Sequence, residues 1–172
     1  GNKSKAGPLT AYFQASVMLL EKEKLEKEIV IETFGEISGI IDYQLLLLKD
    51  EKKRSFYVSA KENVELLFGP IASCEDLVKL YTSRYEENKE DIDWLKRATG
   101  LMLKKDCTKD PLFVTMSETL NKLQPSAESA YNISILLIDK GQHSKAATYL
   151  KEAIDLQEDE DKKAGYYMTL AN

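Results

Sequence analysis

Apolar residues recur along this chain at intervals of three and four, the spacing of one helix face. Nowhere do they alternate strictly with polar residues, as a half-buried strand would. The periodicity predicts a first helix over 8–21, with Leu9, Tyr12, Phe13, Val17 and Leu20 on one side and Pro8 in its first turn. A long second helix follows over 24–48, carrying Ile29, Ile31, Phe34, Ile37, Ile40, Ile41 and Leu45. Ala15, Gly35 and Gly39 read as small positions where neighbouring helices approach closely. Each helical Gly costs about 1 kcal/mol relative to Ala, and close packing is the simplest compensation. The third helix, 53–68, presents Phe56, Ala60, Val64 and Leu67 and ends at the Gly69–Pro70 break.

Ser73 is a suitable N-cap for a fourth helix over 74–85, with Asp76 in capping-box position and Leu77, Leu80, Tyr81 and Tyr85 on one face. Residues 86–91, EENKED, read as a solvated link. A fifth helix begins near Asp91 with Trp94, Ala98, Leu101 and Met102. Asp110 caps a sixth, with Pro111 in its first turn and Phe113, Met116, Leu120 and Leu123 facing inward; Pro125 stops it. The stretch 127–160, AESAYNISILLIDKGQHSKAATYLKEAIDLQEDE, then holds two helices. Ala130, Ile133, Ser134, Leu137 and Ile138 of the first stand at the same offsets as Ala146, Tyr149, Leu150, Ala153 and Ile154 of the second. Gly141 lies between them, where a helix end favours a residue tolerant of positive φ. A last helix starts near Asp161 and carries Tyr167, Leu170 and Ala171.

Helix pairs thus begin near residues 8, 53, 91 and 127, and a half-pair near 161. Trp94 and Ala130 are 36 residues apart in matching helices, while Phe113 and Ala146, Leu120 and Ala153, and Leu123 and Leu156 are each 33 apart. A unit near 34 residues in which small side chains recur at facing positions is the signature of a helical repeat. Ser134, Gly141, Ala146, Tyr149–Leu150, Ala153 and Leu156 make the stretch 126–160 resemble a tetratricopeptide repeat (TPR). It departs at Ala130, where an aromatic is usual, and at Glu158, where a closing Pro is usual. Residues 91–125 keep Trp94, Ala98 and Pro125 but place Phe113 and Leu120 where Ala is expected, and resemble a degenerate copy. The segment KKAGYYMTLA resembles the opening helix of a further, truncated repeat over 161–172, and residues 8–90 match as two divergent helix pairs. Residues 1–7 are expected to be a disordered or cloning-derived leader. The stretch from Cys107 to Ser134 is also similar to a group of bacterial TPR proteins, often exported and mostly without an assigned role.

The resemblance implies an all-α fold: a right-handed superhelical stack of antiparallel helix pairs, about nine helices in all. In such a stack each pair buries only part of its apolar surface until the next pair covers it. The first helices of a TPR-like stack line its concave face, so the resemblance points to Glu128, Tyr131, Asn132, Ile135 and Asp139 as binding residues. Asn132 matches a position that peptide-carboxylate-binding members of the family use. Glu128 and Tyr131 stand where those members carry Lys, so capture of an acidic C-terminal peptide by that mode is not expected. The implied role is a non-enzymatic scaffold that takes a protein or peptide segment. The alternative is an exported, envelope-associated helical module for a glycan or lipid, which requires a discrete pocket with stacked aromatics.

Composition narrows this picture. The 172 residues are 43% hydrophobic, enough for an ordinary core, and a net charge of −5 argues against a broad nucleic-acid footprint. No apolar run is long enough for a membrane-spanning helix. Localisation is not specified beyond the exported or periplasmic setting that the resemblance suggests. His143 stands alone in a predicted turn, and the run QEDEDKK reads as a solvated link without cation-loop spacing. No phosphate loop, nucleophile elbow or dinucleotide fingerprint is present, so neither catalysis, a cofactor nor a metal is expected. Cys74 and Cys107 lie 33 residues apart, one repeat length. Stacking would bring them together, as buried thiols or, in an exported protein, as a disulfide. Tyr166, Tyr167, Met168 and Leu170 lack a following helix, so the expectation is either self-association through the C-terminal helix or a natural chain that continues past Asn172.

Overall fold

The computed structural model describes residues 6–171. Within them the chain is all-helical: nine α-helices and one short 3₁₀ turn, with no strand. They fall into two compact units that divide between Ser73 and Cys74. Helix α3 (Glu51–Phe68) therefore lies in one unit and α4 (Cys74–Asn88) in the other, although 53–90 reads as a single pair in the sequence.

Unit 1 comprises α1 (Ala6–Glu21), α2 (Lys27–Leu47) and α3, each in contact with the other two. Ala6 and Gly7, expected in the leader, begin α1, and Ala6 is buried; residues 1–5 of that leader lie outside the described residues. Aromatic rings hold this bundle together. The Phe34 ring stacks on Phe68 at a centroid distance of 3.8 Å and meets Phe13 at 5.7 Å, tilted by 54°. Ring pairs in these arrangements add to the burial term. Val17, Val30, Ile37, Ile41, Tyr57, Ala60 and Val64 complete the core. Asp42 of α2 pairs with Lys61 of α3 at 3.3 Å.

Ala15, Gly35 and Gly39 do not serve as contact points. All three are exposed, and a Cβ built on either Gly would meet nothing within 4 Å. The large phenylalanine rings fill the space between the helices, so no close approach through small residues occurs. The buried faces are rotated relative to the periodic reading as well. Tyr57 and Phe68 are buried where Phe56 and Leu67 were expected, leaving Phe56 51% exposed, and Tyr12, Ile29 and Ile40 also face solvent. Helix α2 starts three residues later than expected, because the chain turns after α1 with Glu23 at φ 55°. The Glu23 and Lys24 N–H groups close on the carbonyls of Leu20 and Leu19, both at 2.9 Å.

Unit 2 holds α4, α5 (Ile92–Lys104), the 3₁₀ turn Cys107–Lys109, α6 (Pro111–Leu123), α7 (Ala127–Asp139), α8 (His143–Leu156) and α9 (Glu160–Ala171). The starts of α5, α6 and α7 follow their cap signals. Asp91 accepts from the Trp94 N–H at 2.9 Å, Asp110 from Leu112 at 2.8 Å with Pro111 next to it, and Ser126 from Ser129 at 3.1 Å. Each satisfies an N–H that the helix cannot pair internally. Helix α7 ends at Gly141, φ 70°. The Gly141 N–H bonds the Ile138 carbonyl and the Gln142 N–H the Leu137 carbonyl, both at 2.8 Å, the two bonds of a Schellman motif. That three-residue turn sends α8 back antiparallel to α7. Ala130, Ile133, Ser134 and Leu137 close on Ala146, Leu150, Ala153 and Ile154, all buried. Leu123, expected inside, is 39% exposed near the end of α6.

Cross-links between residues 31 to 34 positions apart bind unit 2 together. Tyr85 of α4 and Thr119 of α6, 34 residues apart, share a hydrogen bond of 2.6 Å between hydroxyls. Asn121 of α6 donates to Glu152 of α8, 31 apart, at 2.8 Å, and Lys140 donates to the Lys109 carbonyl, again 31 apart, at 2.6 Å. The first and second of these join alternate helices, α4 to α6 and α6 to α8. Cys74 and Cys107 form a disulfide across 33 residues, with Cα atoms 5.4 Å apart. It ties the start of α4 to the 3₁₀ turn.

Candidate functional site

Helices α5 and α7 are each antiparallel to the intervening α6, and so run parallel to one another. Between them, above α6, lies a solvent-open groove of about 830 Å³. Its α5 wall is Lys96, Thr99, Gly100 and Leu103, one stripe at spacings of three, one and three. Its α7 wall includes Glu128, Ser129, Tyr131, Asn132, Ile135 and Leu136. Phe113, Ser117 and Leu120 of α6 form the floor. The lining results from period-3.6 geometry: Phe113, Ser117 and Leu120 stand at i, i+4 and i+7 on α6, and the Phe113 ring is itself largely buried.

Four of the five binding candidates read from the sequence, Glu128, Tyr131, Asn132 and Ile135, line this groove. Asp139 does not; it is the last residue of α7 and exposed. Tyr131 has a second role, since its ring stacks on Tyr166 of α9 at 4.4 Å and 18°. Gln157 donates to the Tyr166 hydroxyl at 3.3 Å and holds that ring in place. Nothing in the residue pattern marked the α5 wall, because Lys96, Thr99 and Gly100 fall between the apolar positions that mark the buried face of α5.

The groove is polar at one end and apolar at the other. Lys96 and Glu128 sit near the N-terminal ends of their helices, at one mouth; Leu103, 58% exposed, and Leu136 sit at the other, where Thr108 adds one hydroxyl. Neither Lys96 nor Glu128 joins an ion pair among the described residues. Three of the six groove hydroxyls are already engaged. Thr99 donates to the Leu95 carbonyl at 2.7 Å, Ser117 to that of Phe113 at 2.8 Å, and Ser126 caps α7.

A second polar group lies between α6 and α8, outside the groove. Glu118 pairs with Lys145 at 2.5 Å, and Asn121, 2% exposed, donates to Glu152. Burial, reinforced by the charges of Glu118 and Glu152, raises the Tyr149 hydroxyl pKa above its usual 10.0. This cluster sets α8 on α6.

His143 opens α8 on the exposed side. In the run QEDEDKK, Asp159 caps α9, accepting from the N–H groups of Asp161 and Lys162 at 3.0 and 3.1 Å. No group of three or more metal-ligating side chains occurs among the described residues, and none of their helices is long and apolar enough to cross a membrane. Neither a protein-family model, a curated protein nor a solved structure matches the chain.

Proposed function

We propose that unit 2 is a TPR-like module and that the protein is a non-enzymatic interaction scaffold which docks a segment of a partner protein in the α5–α7 groove. The observation that carries this reading is the groove itself: an open, largely apolar channel walled by two parallel helices and bordered by Glu128, Tyr131, Asn132 and Ile135. Apolar channels with a few placed polar groups suit protein segments. Openness along its length favours a chain segment over a small glycan or lipid, which would call for a closed pocket. The disulfide fits an oxidising compartment, since cytosolic thiols are kept reduced.

Site-specific photo-crosslinking tests the proposal. A photoreactive residue replaces Asn132 in the groove, or Lys151 on the exposed side of α8, and cells of the natural source are irradiated. A protein adduct formed from position 132 and absent from position 151 is the expected outcome. Adducts formed equally from both positions, or from neither, would refute it.

A further inference from the structure

We infer that the groove takes its partner as an amphipathic helix rather than as an extended strand, an inference that rests on the docking role proposed above. The first argument is length. The α5 wall runs from Lys96 to Leu103, roughly 10 Å at 1.5 Å per residue. A helix lying along it passes two turns through the channel and offers three large apolar side chains at i, i+4 and i+7 to Phe113, Leu120, Leu103 and Leu136. An extended segment of the same length is only about three residues long, and half its side chains point away from the floor.

The second argument is hydrogen bonding. An extended backbone brings unpaired N–H and C=O groups with it, and these must find partners when covered. The walls are helices, whose backbone groups are paired within themselves. The Thr99 and Ser117 hydroxyl protons are committed to their own helices and the Ser126 oxygen is occupied by the Ser129 N–H, so Thr108, Ser129 and Tyr131 are the few hydroxyls left to serve a strand. Asn132 is the one side-chain amide in the lining. A helix arrives with its backbone already satisfied and asks the groove only for apolar contact.

Charge sets the occupant's chemistry and direction. Lys96 and Glu128 stand at one mouth without ion-pair partners among the described residues, while the opposite mouth is Leu103 and Leu136. The partner helix therefore carries an acidic and a basic residue at one end, matching Lys96 and Glu128, and apolar residues along the rest of its inner face. Pairing the wrong end would set both charges against apolar surface, which is disfavoured.

Two peptides with the same apolar face and the same charged end test this on the full chain. Each has three leucines at i, i+4 and i+7 with Glu and Lys at one end. In one the helix is locked by a side-chain lactam; in the other a central Pro replaces an outward-facing residue, and the freed residue is moved to the end. Binding is read from amide shifts of groove residues in NMR titrations. The Gly100→Leu variant serves as a blocked groove: a Cβ at Gly100 meets nothing within 4 Å, so the fold accommodates it while the side chain fills the channel. Helical circular dichroism checks that the variant is folded. The locked peptide is expected to bind at least roughly tenfold more tightly than the broken one and to lose binding to Gly100→Leu. Equal or tighter binding of the broken peptide would overturn the helical mode while leaving the groove as a docking site. Binding by neither would overturn both, and binding unchanged in Gly100→Leu would place the contact elsewhere and overturn the inference.

Discussion

The two units solve helix packing in different ways. In unit 1, three helices meet around the Phe13, Phe34 and Phe68 rings, and the small residues Ala15, Gly35 and Gly39 face water. In unit 2, α7 and α8 close on Ala130, Ala146 and Ala153, and the ring pairs lie elsewhere, Tyr81–Trp94 between α4 and α5 and Tyr131–Tyr166 between α7 and α9. Ring-filled contacts tolerate a range of helix rotations. Alanine contacts require one register, because backbones approach closely only where both sides are small. The difference shows at the surface: most of the exposed large apolar side chains, Leu46 at 84% among them, belong to unit 1.

One chemical change made in both units gives the widest contrast. Leu137→Ala removes a fully buried side chain and should cost ~2–5 kcal/mol in chemical denaturation, whereas Leu46→Ala should shift stability by less than ~0.5 kcal/mol. Similar losses for both would mean that the Leu46 surface is covered in solution. Reducing the Cys74–Cys107 disulfide should lower stability by ~2–4 kcal/mol, given the 33 residues it spans. A thiol titration finding two free cysteines under denaturing, non-reducing conditions would contradict that bond. Ala153→Trp should overpack the α7–α8 contact by ~1–3 kcal/mol or more. Ala15→Trp, on the exposed side of α1, should leave the thermal midpoint nearly unchanged. Glycines supply the smallest contrast. Gly39→Ala should stabilise unit 1 by ~1 kcal/mol through helix propensity, while Gly141→Ala should destabilise by ~1–2 kcal/mol because φ 70° is left-handed. Thermal denaturation of the two variants decides the sign of each.

Helices in both units were legible from spacing, but their buried faces were legible mainly in unit 2. Helix α2 carries apolar residues around most of its circumference, so spacing alone cannot say whether Ile40 or Ile41 points inward; contact with α1 and α3 selects Ile41. The ends of α5, α6 and α7 were marked by Asp91, Asp110, Ser126 and Gly141, residue types with a local physical reason to be there. Glu23 and Asp106 at positive φ were not, since neither is a Gly and the chain imposes those turns from outside. For the groove, the α7 wall followed from the repeat resemblance and the α5 wall did not, because a wall left in solvent has no apolar periodicity to announce it.

By itself the sequence determined the helical class, the caps, the Gly141 turn and the alanine seam between α7 and α8. Each is a local or near-neighbour effect of side-chain size, backbone freedom or an unpaired N–H. Only the tertiary structure decided that α3 and α4 part company at Ser73–Cys74, that the two cysteines join, and that Lys96 faces Glu128 across an open channel. Those outcomes depend on which surfaces meet after the helices have formed, and burial is a property of the whole assembly rather than of any one segment.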